Sequence, residues 1–167
     1  MARRTSFKLP GLTTWVDNIK NEVSKAAAEE IVSDLQVSGP YWSGEFADAW
    51  VIKQGKTRVN ATKEPSGPRR STPASFNPKP ITAPPPSGRK SVEYTIGNEM
   101  VYRDIAMDLD PERVRWKDGQ PPNTAPENWY RTYVEGGELR QTLEKATNRV
   151  AKNPKIRGFQ GPKAPPS

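Results

Sequence analysis

The chain has 167 residues, a net charge of +7, and neither cysteine nor histidine. That length holds one ordinary domain, and the missing residue types exclude Ser/His/Asp and Cys/His triads, disulfides and the usual zinc sites. A mean hydropathy of −0.86 with 18 prolines predicts a modest core carrying long irregular extensions.

No apolar run is long enough to span a bilayer, and MARRTSFKLPG lacks the apolar stretch of a secretory signal. The expectation is a soluble chain with no membrane contact. Charge is unevenly spread: residues 1–10 carry +3, residues 53–90 carry +8 and residues 152–167 carry +4, so the remainder sums to −8. A slightly acidic body with basic extensions suits contact with phosphates, and equally suits solubility or docking on an acidic protein neighbour.

In chain order, Trp15, Ile19, Val23, Ala26, Ala27, Ile31 and Leu35 recur at three- and four-residue intervals. They predict a helix of about 24 residues, capped by Thr13 or Thr14, stopped by Gly39-Pro40, with Lys20, Lys25, Glu29 and Asp34 on a solvated face. Tyr41, Trp42, Phe46 and Trp50 follow within ten residues. Ser43 is placed to cap one helical turn before a strand beginning at Ala49-Trp50-Val51-Ile52, with residues 57–61 as its hairpin partner and Val59 pointing inward. Residues 62–90 contain eight of the prolines and no packed element is expected there. A connection of that length between strands reads as an arm that grips a neighbour.

Val92, Tyr94 and Ile96 alternate as a half-buried strand closed by a Gly97-Asn98 turn. Tyr102, Ile105 and Ala106 have helical or irregular spacing, and a loop follows. Thr124 and Glu127 have capping-box spacing ahead of a helix through Trp129, Tyr133 and Val134. That helix is expected to break at Gly136-Gly137 and resume with Leu139, Leu143, Ala146 and Val150, before Asn153-Pro154 stops it. The expected fold is α+β: a small antiparallel sheet packed against a long N-terminal helix and a C-terminal helix, with the proline-rich arm between strands. All 167 residues form a single domain, with its core at about 12–61 and 91–152, the arm at 62–90 and a basic tail at 153–167.

Four large aromatics exceed what a small sheet covers alone, so some of Tyr41, Trp42, Phe46 and Trp50 are expected to reach a neighbouring subunit, the alternative being that all four pack under the long helix; Phe76 of the arm is a further interface candidate. Arg69, Arg70, Arg89 and Lys90 are candidates for contact with DNA. Asp104, Asp108, Asp110 and Glu112 could group around a metal, but Asp-x-Asp beside Pro-Glu reads as a solvated loop with a helix-start signal. No enzyme, cofactor or metal is expected.

The order of a long helix, then SGEFADAWVI, then YTIGNEMVYRDIAM, then a terminal helix resembles the tail-completion and neck proteins of tailed bacteriophages, of the minor-tail-component class. Ser43, Gly44, Phe46 and Trp50 match that family's approach to its first strand, and Ile96, Asn98 and Tyr102 match a later strand end. Where the family continues with Glu-x-Gly this chain has Asp108-Leu109-Asp110, and the arm has no counterpart. The resemblance implies a structural virion protein of the neck, assembled in the host cytoplasm. It would form a ring with copies of itself between the connector and tail proteins, around the DNA channel, in a tail-completion or tail-terminator role. The rival expectation is a basic nucleic-acid-binding or assembly accessory protein.

Overall fold

The apolar stripe forms helix α1 over Leu12–Ser38, capped by Gly11 rather than by Thr13 or Thr14. In the computed structural model, which describes residues 11–41, 44–66, 77–87, 92–108, 125–126 and 128–153, six further elements follow. They are α2 (Glu45–Asp48), β1 (Trp50–Gln54), β2 (Tyr94–Asn98), α3 (Arg103–Asp108), α4 (Trp129–Glu135) and α5 (Glu138–Ala151). This is the expected α+β arrangement, a two-stranded antiparallel sheet packed with an N-terminal and a C-terminal helix. Ser43, Thr124 and Glu127, the other expected caps, lie outside the described residues.

α1 buries Ala28, Val32 and Leu35 under the sheet, in one core with Phe46, Trp50, Ile52, Met100, Trp129 and Tyr133. Its alanines Ala26 and Ala27 meet Ala146 and Val150 of α5 in a second cluster. Side chains this small let the two helices approach closely, and the ion pairs beside them fix their direction. Thr142 reaches Asp34, and Lys145 and Arg149 reach Glu30, so α5 runs antiparallel to α1. The face expected to be solvated is therefore largely covered: Lys20 is exposed, but Lys25, Glu29 and Asp34 are half-buried. The break between α4 and α5 falls at Gly136-Gly137 as expected, with Gly137 at φ 99°, a conformation that favours glycine.

Two expectations about the sheet are overturned. β1 pairs with β2, in the register Trp50↔Asn98, Ile52↔Ile96 and Gln54↔Tyr94, and not with residues 57–61. Trp50, Ile52 and Ile96 share the core face by alternation, and Val51, Lys53, Thr95 and Gly97 the other. Residues 57–63 cross that second face as a strap. The Thr57 N–H donates to Thr95 Oγ1 (3.3 Å), Val59 is buried over Gly97, and Lys63 pairs with Met100 in a parallel bridge. Gly97-Asn98, read as a turn, lies inside β2, because the missing side chain of Gly97 makes the slot that Val59 fills.

A Cβ on Gly97 would stand 2.7 Å from Val59 Cβ. Gly97→Ala is expected to cost about 1–3 kcal/mol of stability by overpacking. Urea denaturation measures this, and Val59→Ala in the same chain should recover part of the loss; no coupling between the two substitutions would contradict the slot.

The connection after the strap also departs from expectation, since its described parts dock on the chain's own body. Glu45 accepts hydrogen bonds from the Ser66 N–H (3.2 Å) and hydroxyl. Gln36 Nε2 donates to the carbonyls of Ala47 (2.9 Å) and Lys79 (3.1 Å). Glu29 accepts from the Ala83 N–H (3.1 Å), Tyr94 donates to the Pro84 carbonyl (2.8 Å), and Asn21 Oδ1 accepts from the Val92 N–H (2.8 Å). Lys79, Ala83 and Val92 thus meet α1 in the order opposite to its own, and Ala83 is part of the main core.

Candidate functional site

Two stretches about fifty residues apart, around Phe46 and around Asn98, meet at one joint. Asn98, fully buried at the end of β2, donates from Nδ2 to the Phe46 carbonyl (2.8 Å) and accepts at Oδ1 from the Met100 N–H (2.9 Å). Its own carbonyl accepts from Arg103 Nη1 (2.7 Å), which also binds the Val59 carbonyl (2.8 Å). One side chain therefore ties α2 to the end of the sheet, and one guanidinium ties the strap to α3. Each bond engages a main-chain group near the change from strand to helix or on an element packed against it.

Phe46 is the centre of the aromatic packing. It meets Trp50 edge-on at 5.9 Å, stacks on Tyr102 at 6.1 Å and meets Trp129 edge-on at 6.4 Å. Trp129 is itself held by its Nε1–H donating to the Ala106 carbonyl (2.8 Å). Phe46 is 1% exposed and Trp50 3%, so these two follow the core-packing alternative and not the interface one. The physical reason is distance in sequence: Trp129, Tyr130 and Tyr102 come from the far side of the arm to cover them. Tyr41 is half-buried, while Trp42 and Phe76 lie outside the described residues, as do all four DNA candidates, Arg69, Arg70, Arg89 and Lys90.

Two buried polar atoms beside Phe46, Trp50 Nε1 and Tyr102 Oη, make no hydrogen bond among the described residues. Burial, with Glu45 second, raises the pKa of the Tyr102 phenol. Tyr102→Phe removes an unsatisfied hydroxyl and keeps the ring, so it should be neutral or stabilise by up to about 1 kcal/mol. A clear loss in urea denaturation would contradict the unpartnered assignment.

On the other side of the core, the Thr142 hydroxyl lies 2.5 Å from Asp34 Oδ2 and accepts from Tyr133 (3.3 Å). Burial raises the pKa of Tyr133 against that hydrogen bond, and Asp34 and Glu138 add to the rise. The group ties α1, α4 and α5 together, and its polar atoms satisfy one another.

Of the acidic candidates, the side chain of Asp108 lies outside the described residues. Asp104 is exposed and paired with Arg103 (3.5 Å), while Asp110 and Glu112 lie outside the described residues. Among the described residues no group of three or more His, Cys, Asp or Glu side chains could hold a metal, and no helix is long and apolar enough to cross a membrane.

Sequence reasoning missed Asn98 as a keystone, along with Asn21, Glu29 and Gln36 as anchors of the arm. For Asn21 and Gln36 the signal was a polar residue interrupting the buried side of an apolar pattern, which periodicity alone discards as noise. The described residues hold thirteen Lys and Arg against fifteen Asp and Glu, a net charge of −2; the remaining segments hold thirteen against four, a net charge of +9. A scan against protein-family models, a search of curated proteins and a search of solved structures each found no match.

Proposed function

We propose that this chain is a structural protein of a bacteriophage neck, a ring subunit joining the head connector to the tail around the DNA channel. The observation that carries the reading is the joint at Asn98. Phe46, Trp50, Asn98 and Tyr102, which belong to two motifs of the resemblance about fifty residues apart, pack on or bond to one another. Residues that recur in a pattern because the fold needs them are expected to meet in this way.

The arm keeps a role in ring contact, over a narrower span. Ser66 and Lys79 are fastened to Glu45 and Gln36, and Gln36 also binds Ala47, two residues from Glu45. Residues 67–76, with Arg69, Arg70 and Phe76, are thus bracketed by two fixed feet and are the segment proposed to reach a neighbour. Arg69, Arg70, Arg89 and Lys90 are proposed to face packaged DNA, in keeping with the positive charge outside the acidic body. That same charge partition favours the second reading, a basic nucleic-acid-binding accessory protein.

The deciding experiment is quantitative peptide mass spectrometry on purified virus particles, comparing this chain with the portal protein. The expected result is a low, ring-like ratio. Absence from clean particles rejects the neck reading and leaves the accessory one. Deleting residues 67–76 tests the arm while sparing Ala83 and Ile81, and should block particle assembly without lowering helix content by circular dichroism.

A further inference from the structure

Val37, in the last turn of α1, is 63% exposed, more than any other large hydrophobic side chain among the described residues. It forms a ridge between two adjoining hollows. One, of about 310 Å³, lies toward Pro78, Pro80 and Ile81 of the docked arm. The other, of about 370 Å³, lies toward α4 and α5. Four carboxylates line the pair, Glu29, Glu30, Asp34 and Glu138, against two cations, Lys145 and Arg149. α1 carries no basic residue in its last turn, so the partial negative charge of its carbonyls adds to that excess. The surface is apolar at its crest and negative on its flanks.

We infer that this ridge is the docking site for residues 154–167 of a second copy of the chain. That segment holds Lys155, Arg157 and Lys163 with no acid, and Ile156 and Phe159 as apolar side chains, which complements both properties of the ridge. α5 ends beside Ala26 and Ala27 of α1, so the segment leaves the body at the far end of the helix pair, about 20 Å from Val37 at 1.5 Å per residue. The chain's own segment would have to return along α1, where α5 takes one flank and the contacts of Ala83 and Val92 take the other. Donor and acceptor at opposite ends of one element make a head-to-tail contact, the kind that closes into rings. The inference rests on the part of the proposed function in which copies of this chain associate.

A chain without cysteine permits a direct test. Full-length Val37→Cys and Phe159→Cys chains, distinguishable by mass, are mixed and oxidised. A disulfide between the two chains should form several-fold faster than between Phe159→Cys and a control, Leu143→Cys, which is exposed on α5 outside both hollows. Glu138→Lys in the acceptor should lower the yield several-fold, and so should added salt. Equal rates at Val37 and Leu143, no disulfide, or one formed only within a chain carrying both cysteines would each overturn the inference. If the chain is found in particles at a ring-like ratio while this link fails, the neck reading stands and only this surface falls.

Discussion

Truncating Phe46 to alanine is expected to remove about 3–5 kcal/mol of folding stability, the usual cost of emptying a buried aromatic site. That is a large share of what a domain of this size holds in total. The ring touches Trp50, Tyr102 and Trp129 at once, so its loss leaves three aromatics facing a void. Chemical denaturation of the isolated chain measures the loss, and near-ultraviolet circular dichroism reports the loosened tryptophans. An interface residue would behave otherwise, leaving the isolated chain intact and lowering only assembly. An unchanged denaturation midpoint would therefore return Phe46 to the surface and contradict the packing described above.

Asn98→Ala should cost about 2–4 kcal/mol, because it strands the Met100 N–H and withdraws the better donor of the Phe46 carbonyl inside the core. The Ala49 N–H still reaches that carbonyl at 3.3 Å, which limits the penalty on that side. Asn98→Asp separates the two roles. It keeps the acceptor for Met100, while its ionised form loses the donor and sets a carboxylate against the Phe46 carbonyl. Burial disfavours the charged form and raises the folded-state pKa above the ordinary carboxylate value of about 3.9, although Arg103 nearby offsets part of the rise. With the folded pKa raised, the variant is at its best below the unfolded pKa and loses stability as pH climbs through the folded one. Midpoints of urea denaturation for the parent and Asn98→Asp should therefore diverge with rising pH. Parallel profiles would mean that the side chain is not enclosed as described.

Local patterns conveyed α1, the start of β1, the glycine break between α4 and α5, and the inward side chain of Val59. Each of these depends on periodicity or on a punctuating residue within a few positions. The pairing partner of β1 was not legible in that way. A hairpin with residues 57–61 and a pairing with residues forty positions on present the same apolar alternation. The choice was made by one absent side chain, at Gly97, which admits Val59 to the face of the sheet instead of its edge. Gly97-Asn98 likewise carries a strong turn signal, and only the distant Phe46 carbonyl turns Asn98 into a buried anchor. The aromatic-rich stretch was read as too large for its sheet because Tyr102 and Trp129, which enclose it, come from the far side of the arm. The charged side of α1 looked solvated for the same reason, since α5 and the docked arm cover it only after the chain has returned.

The anchors along α1 also make the helix a measuring rule. From Gln36 to Glu29 the helix advances about 10 Å, and from Lys79 to Ala83 an extended proline-rich chain advances about 12 Å, so these two anchors are spaced alike on both segments. A single residue inserted between Glu29 and Gln36 would turn every later side chain by about 100° around the axis. Gln36 would swing away from both Ala47 and Lys79, and the lines of Val32 and Leu35 would no longer lie on the same side as Ala28. Length in this helix is therefore fixed to the residue.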